Sequence, residues 1–181
     1  MSQETTTEPL LERGPAYLQR YIRELKIEAE LIAPGVPMVT VTDAARAIGA
    51  DDEQILKSLL FWDRATRHNV LAIASGNGKI DLALLAAASG LHRPRLAPAE
   101  RVLAVTGYRA GGVPPIGHAN PLAVIVDARV AELDVAFGGG GSEEFLMRVR
   151  TRDILRLTGA TVATIVQPRV SSQKLRLLTP P

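Results

Sequence analysis

The chain contains no cysteine, which excludes disulfides, thiolate metal sites and a cysteine nucleophile. It also lacks an apolar run of membrane-spanning length, since the longest, Ile80 to Ser89, is interrupted by Asp81. Met1 to Pro9 is polar and acidic with no apolar signal core, so a cytoplasmic location is expected rather than secretion. Two catalytic signatures are missing as well. No GK[ST] follows a glycine-rich loop, and Ser75 has Ile73 where a nucleophile elbow needs its first glycine. His68, His92 and His118 are far apart and lack short-range ligand spacing, so no metal is expected. Acidic residues are absent beyond Asp153, which leaves Arg156, Arg169, Lys174 and Arg176 alone in the C-terminal part. A modest basic end of this kind suits a phosphate backbone or a solvated tail.

What is present fits one soluble globular domain: 181 residues, 46% hydrophobic and 22% charged, with a net charge of +2. Residues 1–13 read as a disordered leader, 14–166 as the domain and 167–181, rich in proline, as a flexible tail. Ala16, Leu18, Tyr21, Ile22 and Leu25 recur at helical spacing behind Pro15. Glu28 to Ile32 reads as a short strand. Thr42 or Asp43 is expected to cap a helix that stops at Gly49, and Asp51 and Asp52 to begin a further turn. Ile55 to Trp62 and Asn69 to Ala74 read as neighbouring strands joined by a polar turn. Asp81 is expected to cap a helix with Leu82, Leu85 and Ala86 inward. Ala99 to Val105 reads as a helix, and Leu122 to Val126 and Val135 to Phe137 as strands. Phe145 to Arg150 alternates as a half-buried strand, and a last helix starts at Thr151 or Asp153 and ends near Gly159. There is no internal repeat and no regular βαβ alternation, so the fold class is α+β with a mixed sheet.

Three segments carry chemistry. Lys57 interrupts the apolar run Ile55 to Phe61. In a strand, Lys57, Leu59 and Phe61 share one face and Ser58, Leu60 and Trp62 the other. Such a lysine either lines a cleft and meets an anionic or carbonyl-bearing ligand, or stands at an edge with its stem packed and its amine in water. Thr106 to His118 concentrates Gly111, Gly112, Pro114, Pro115, Gly117 and His118. It reads as a connecting turn or as a stiff loop whose few amides, at Gly111, Gly112, Val113, Ile116 and Gly117, suit a carbonyl oxygen or oxyanion. Gly138 to Gly141 reads as a hairpin turn or as one wall of a pocket, and matches neither nucleotide-binding fingerprint. Arg148, Arg150 and Arg152 recur every second residue, as a basic stripe or an exposed strand face.

Lys57 in IxKSLLF, Ser75-Gly76, Asp81-Leu82, GGVPPIGH at Gly111 to His118 and DILRLTGATVA at Asp153 to Ala163 together resemble the YbaK/prolyl-tRNA-editing family of aminoacyl-tRNA deacylases. The similarity runs from about Ala16 to about Val166. The resemblance implies a barrel-like mixed sheet surrounded by helices, and hydrolysis of the ester joining a wrong amino acid to the terminal ribose of tRNA. It maps the essential lysine to Lys57, the G-x-x-x-P loop to Gly111 through Pro115, and the glycine wall to Gly138, Gly139 and Gly140. Gly111 and Gly112 are then the candidate oxyanion donors. Ser58, Leu59, Phe61, Pro115, Gly117 and His118 are candidate substrate contacts. No cofactor, membrane or DNA is implied; the partners are mischarged tRNA and an aminoacyl-tRNA synthetase. Relatives carry Ser or His beside the glycine turn where this chain has only glycines followed by Ser142, and some alanine-specific members have Asn where Ser58 stands. Two alternatives accompany this reading: a noncatalytic tRNA- or synthetase-binding module of the same fold, and a hydrolase of another small aminoacyl ester.

Overall fold

Pro15 fixes the first turn of helix α1 (Pro15–Leu25), whose Leu18 and Ile22, one turn apart, are buried. The structure, a computed structural model, describes residues 12–167. The expected leader and tail therefore lie outside the described residues, apart from Glu12, Arg13 and Gln167. Strand β1 (Ala29–Ile32) follows, then α2 (Val41–Ile48). The cap of α2 is Thr40 rather than Thr42 or Asp43. Thr40 accepts from the Asp43 amide, and the Asp43 carboxylate accepts from the amide of Thr40. This reciprocal box satisfies two end donors at once and wins over a single side-chain cap. Gly49 closes the helix in the left-handed region, and Asp52–Gln54 forms a single 3₁₀ turn.

Strands β2 (Leu56–Trp62) and β3 (Asn69–Ser75) pair antiparallel, from Leu56 opposite Ser75 to Trp62 opposite Asn69. Helix α3 (Leu82–Ser89) is capped by Asp81, which accepts from Ala83 and Leu84. Of its expected inward residues only Leu85 is buried, whereas Leu82 is 49% exposed. The segment LALLAAAS is apolar all round, so its pattern specifies no face. Two-residue β4 (Arg95–Leu96) adds to the free edge of β2. Helix α4 (Ala99–Thr106) then leads to the Gly/Pro loop and β5 (Ala123–Asp127). After α5 (Ala128–Ala131) come β6 (Val135–Gly139), β7 (Leu146–Arg150), α6 (Thr151–Thr158) and β8 (Thr161–Ala163). β4, α5 and β8 are too short to carry a periodic signal.

The strands make two sheets. One has order β4-β2-β3-β5-β8, with β5 parallel to both β3 and β8; the other, β1-β7-β6, is antiparallel. A parallel bridge from Ile55 to Phe137 joins them, and the strands are not closed into a barrel. β3 is buried on both faces, and its alternate residues feed two cores. Leu71 and Ile73 join Leu18, Leu60, Tyr108 and Met147, while Val70, Ala72 and Ala74 join Phe61, Leu85 and Ile165.

Candidate active site

Lys57 sits one residue inside β2, on the face that Phe61 presents to the second core. Its Nζ donates to the Gly78 carbonyl at 2.5 Å. The lysine is half-buried, and loss of water pushes its ammonium below the usual lysine range, with the charge of Glu53 partly opposing this. Leu59 packs against the second core and Phe61, 5% exposed, is part of it. Phe61 therefore supports the strand under Lys57 and has little surface left for a substrate. Ser58 points to the opposite face, and its hydroxyl is buried without a partner among the described residues.

The Gly/Pro loop lies directly on the glycines of β6. Gly138 and Gly139 are strand residues, paired with Met147 and Leu146, so the expected hairpin turn begins later, where the Gly140 amide donates to the Phe145 carbonyl. A Cβ on Gly138 would stand 2.8 Å from Pro115 Cδ and 3.8 Å from Leu56 Cβ. On Gly139 it would meet the Val113 carbonyl oxygen at 2.5 Å, and on Gly112 the Ser142 backbone at 2.6 Å. At Gly112 and Gly139 these are backbone-to-backbone approaches that any side chain would block, and at Gly138 the rigid Pro115 ring does the same. The structure thus brings Gly111 to Pro115, Gly138 to Gly140 and the start of β2 together. The bridge at Ile55 and Phe137 leaves Lys57 and Gly139 each two residues further along.

Of the expected oxyanion donors, the Gly112 amide donates to the Arg109 carbonyl and closes the loop on itself. The amides of Gly111 and Val113 meet no protein acceptor among the described residues. Gly111 has φ +93 and lies beside the Glu143 carboxylate. It opens onto a cleft of about 840 Å³ lined by Val36, Met38, Glu143 and Phe145. A second cleft, about 580 Å³, runs along Asn77 to Ala83, beside the carbonyl that holds Lys57. The 33–39 segment carries no sequence motif that singles it out, although Val36 and Val39 on either side of Pro37, both exposed, were a signal.

Gly117 and His118 stand apart from this junction. The Gly117 carbonyl accepts from Arg13 Nη1 and from the Tyr108 hydroxyl. His118 Nε2 donates to the Pro114 carbonyl at 2.8 Å, and burial pushes the imidazole below the usual histidine range. Both residues lock the loop's shape from behind. Two arginines of the stripe are neutralised: Arg148 pairs with Glu28 and Glu30, and Arg150 with Glu28 and Asp134, while Arg152 stays exposed.

A family model described as the aminoacyl-tRNA editing domain matches residues 36–157. EbsC of Enterococcus faecalis (strain ATCC 700802 / V583), provisionally assigned as a Cys-tRNA(Pro)/Cys-tRNA(Cys) deacylase, is 26% identical over 127 residues, covering 70% of this chain and 77% of its own. A solved protein provisionally assigned as a trans-editing enzyme for prolyl-tRNA synthetase superposes with a TM-score of 0.74 at 28% identity, over 90% of this chain and 100% of its own. The hypothetical protein APE2540 gives 0.76 at 28% identity, over 83% and 99%.

Proposed function

The chain belongs to the aminoacyl-tRNA editing domain family, and from that premise we propose that it hydrolyses the ester of mischarged aminoacyl-tRNA in trans. The observation that carries the reading is the junction of a partly dehydrated Lys57 ammonium with a glycine-floored loop that keeps the Gly111 and Val113 amides unpaired. An aminoacyl ester is already reactive, so positioning and charge stabilisation suffice. Water attacks the ester carbonyl, and the new carbon–oxygen bond forms as the carbonyl electrons move to oxygen. That oxyanion lies against the loop amides, each donor of this kind being worth about 3 kcal/mol. The tetrahedral species then releases the ribose oxygen, which takes a proton, leaving free amino acid and uncharged tRNA.

In this reading Lys57 holds the terminal nucleotide's phosphate or ribose and so orients the carbonyl. The neighbouring ribose hydroxyl of the substrate relays the proton from the attacking water. Selectivity is steric, because a hydrophobic pocket gains only roughly 1–3 kcal/mol per methylene and discriminates best by excluding a larger residue.

The test is deacylation of Ala-, Ser-, Thr- and Cys-charged tRNAs by wild type and Lys57→Ala. Wild type is expected to clear at least one species, and the variant to fall by roughly 100-fold with its fold intact. One observation favours a second reading, a noncatalytic tRNA-binding module: the Gly112 amide is already committed to Arg109. That reading requires tRNA binding with no ester cleaved faster than in buffer.

A further inference from the structure

The far end of the β2–β3 hairpin gathers arginines from three separate stretches of the chain. Arg64 and Arg67 lie in the turn after β2, and Arg95 sits opposite Trp62 in β4. Arg93 is drawn in because its amide and that of His92 donate to the buried Asp63 carboxylate. Arg101, from α4, lies over the Trp62 ring at 4.1 Å, and donates from Nε to Asn69 and from Nη2 to the Arg67 carbonyl. That last bond, with the Arg67 amide donating to the Asp63 carbonyl, holds Arg67 at φ 60, a conformation rare outside glycine.

Among the described residues none of these arginines is ion-paired, whereas Arg109, Arg129, Arg148, Arg150 and Arg156 all are. The nearby acids are Asp63, whose carboxylate is held low by amides of Arg93, Ala65, Thr66 and His92, and exposed Glu100. Arg64, Arg67, Arg93 and Arg95 are exposed. The surface is therefore strongly basic, made of guanidinium groups that pair with phosphate in a planar, two-point fashion.

We propose that this hairpin end docks the sugar–phosphate backbone of the tRNA whose aminoacylated terminus lies at Lys57. The proposal rests on the editing reading above. Lys57 and Trp62 are five strand steps apart, about 17 Å, and four stacked single-stranded nucleotides span about 14 Å. The strand thus separates the two contacts by about the length of the unpaired 3′ end, with one at the ester and the other at the helical stem.

The experiment replaces Arg64, Arg67, Arg93 and Arg95 together by Ala, leaving Arg101 on its tryptophan, and compares the variant with wild type. Binding of uncharged tRNA is followed from about 50 to 200 mM salt, where phosphate contacts weaken steeply. Deacylation is measured on aminoacyl-tRNA and on aminoacyl-adenosine, with a thermal melt as the check on folding. The expected result is at least a tenfold rise in Kd and KM for tRNA, unchanged kcat, unchanged turnover of aminoacyl-adenosine and a shallower salt slope. Lysine at the same positions should restore most of the affinity.

An unchanged Kd and salt slope overturns the docking surface, as does an equal loss on aminoacyl-adenosine, which would place the effect in the site. If wild type binds tRNA through these arginines but cleaves no ester, the docking stands and the editing reading falls. If esters are cleaved and the arginines are irrelevant, the reverse holds.

Discussion

Ser58 is the residue whose environment disagrees most with its chemistry. Its hydroxyl is buried without a partner among the described residues, a condition that costs about 1–3 kcal/mol. Period two places it on the face of Leu56, whose Cβ would lie 3.8 Å from a Cβ on Gly138. Ser58→Ala is expected to raise stability by about 1 kcal/mol and, as a proposed substrate contact, to lower kcat/KM. Urea melts alongside deacylation assays decide this; a variant that is less stable, or as active as wild type, contradicts it. Lys57 was legible in the sequence because a charge inside an apolar strand demands an explanation. Its carbonyl partner was not, since Gly78 lies 21 residues away in a loop whose path depends on how Asp81 and Gln167 meet.

At the level of elements, β6 shows what a run of glycines does when it is not a turn. Gly139→Ala would drive a Cβ to 2.5 Å from the Val113 carbonyl oxygen and 2.9 Å from the Gly112 carbonyl carbon. Backbone cannot swing aside as a side-chain tip can, so the loop must lift. The expected loss is about 1–3 kcal/mol of stability, together with most of the turnover, since the amides ride on that loop. A melting temperature equal to wild type with full activity would show that the contact is dispensable. The long elements were readable from periodicity and caps, including α1, β2, β3 and α6. The strand character of Gly138 and Gly139 was not, because glycine has no side chain to report a period. Nor was the Thr40 box, which depends on hydrogen bonds in both directions.

For the whole molecule, His118 makes global stability depend on pH. Burial lowers its folded pKa below the unfolded value of about 6.5. Between the two values the unfolded chain binds more protons, so stability falls as pH drops through 6.5 and levels off below the folded pKa. His118→Gln, which can still donate to the Pro114 carbonyl, is expected to flatten that dependence between about pH 7 and 5; equal slopes in urea titrations would rule the histidine out. By itself the sequence determined the fold class, most strands and helices, the two-faced alternation of β2 that fixes Lys57's side, and the motifs that carry the family. Those features rest on spacing along the chain, which local sterics and burial translate directly into structure. Only the tertiary structure decided which loop amides stay unpaired, that Arg148 and Arg150 are neutralised by Glu28 and Asp134, and that unpaired arginines collect at the hairpin end. The reason is that hydrogen bonds and ion pairs are set by distances of a few ångströms between residues tens of positions apart, and no periodicity records those.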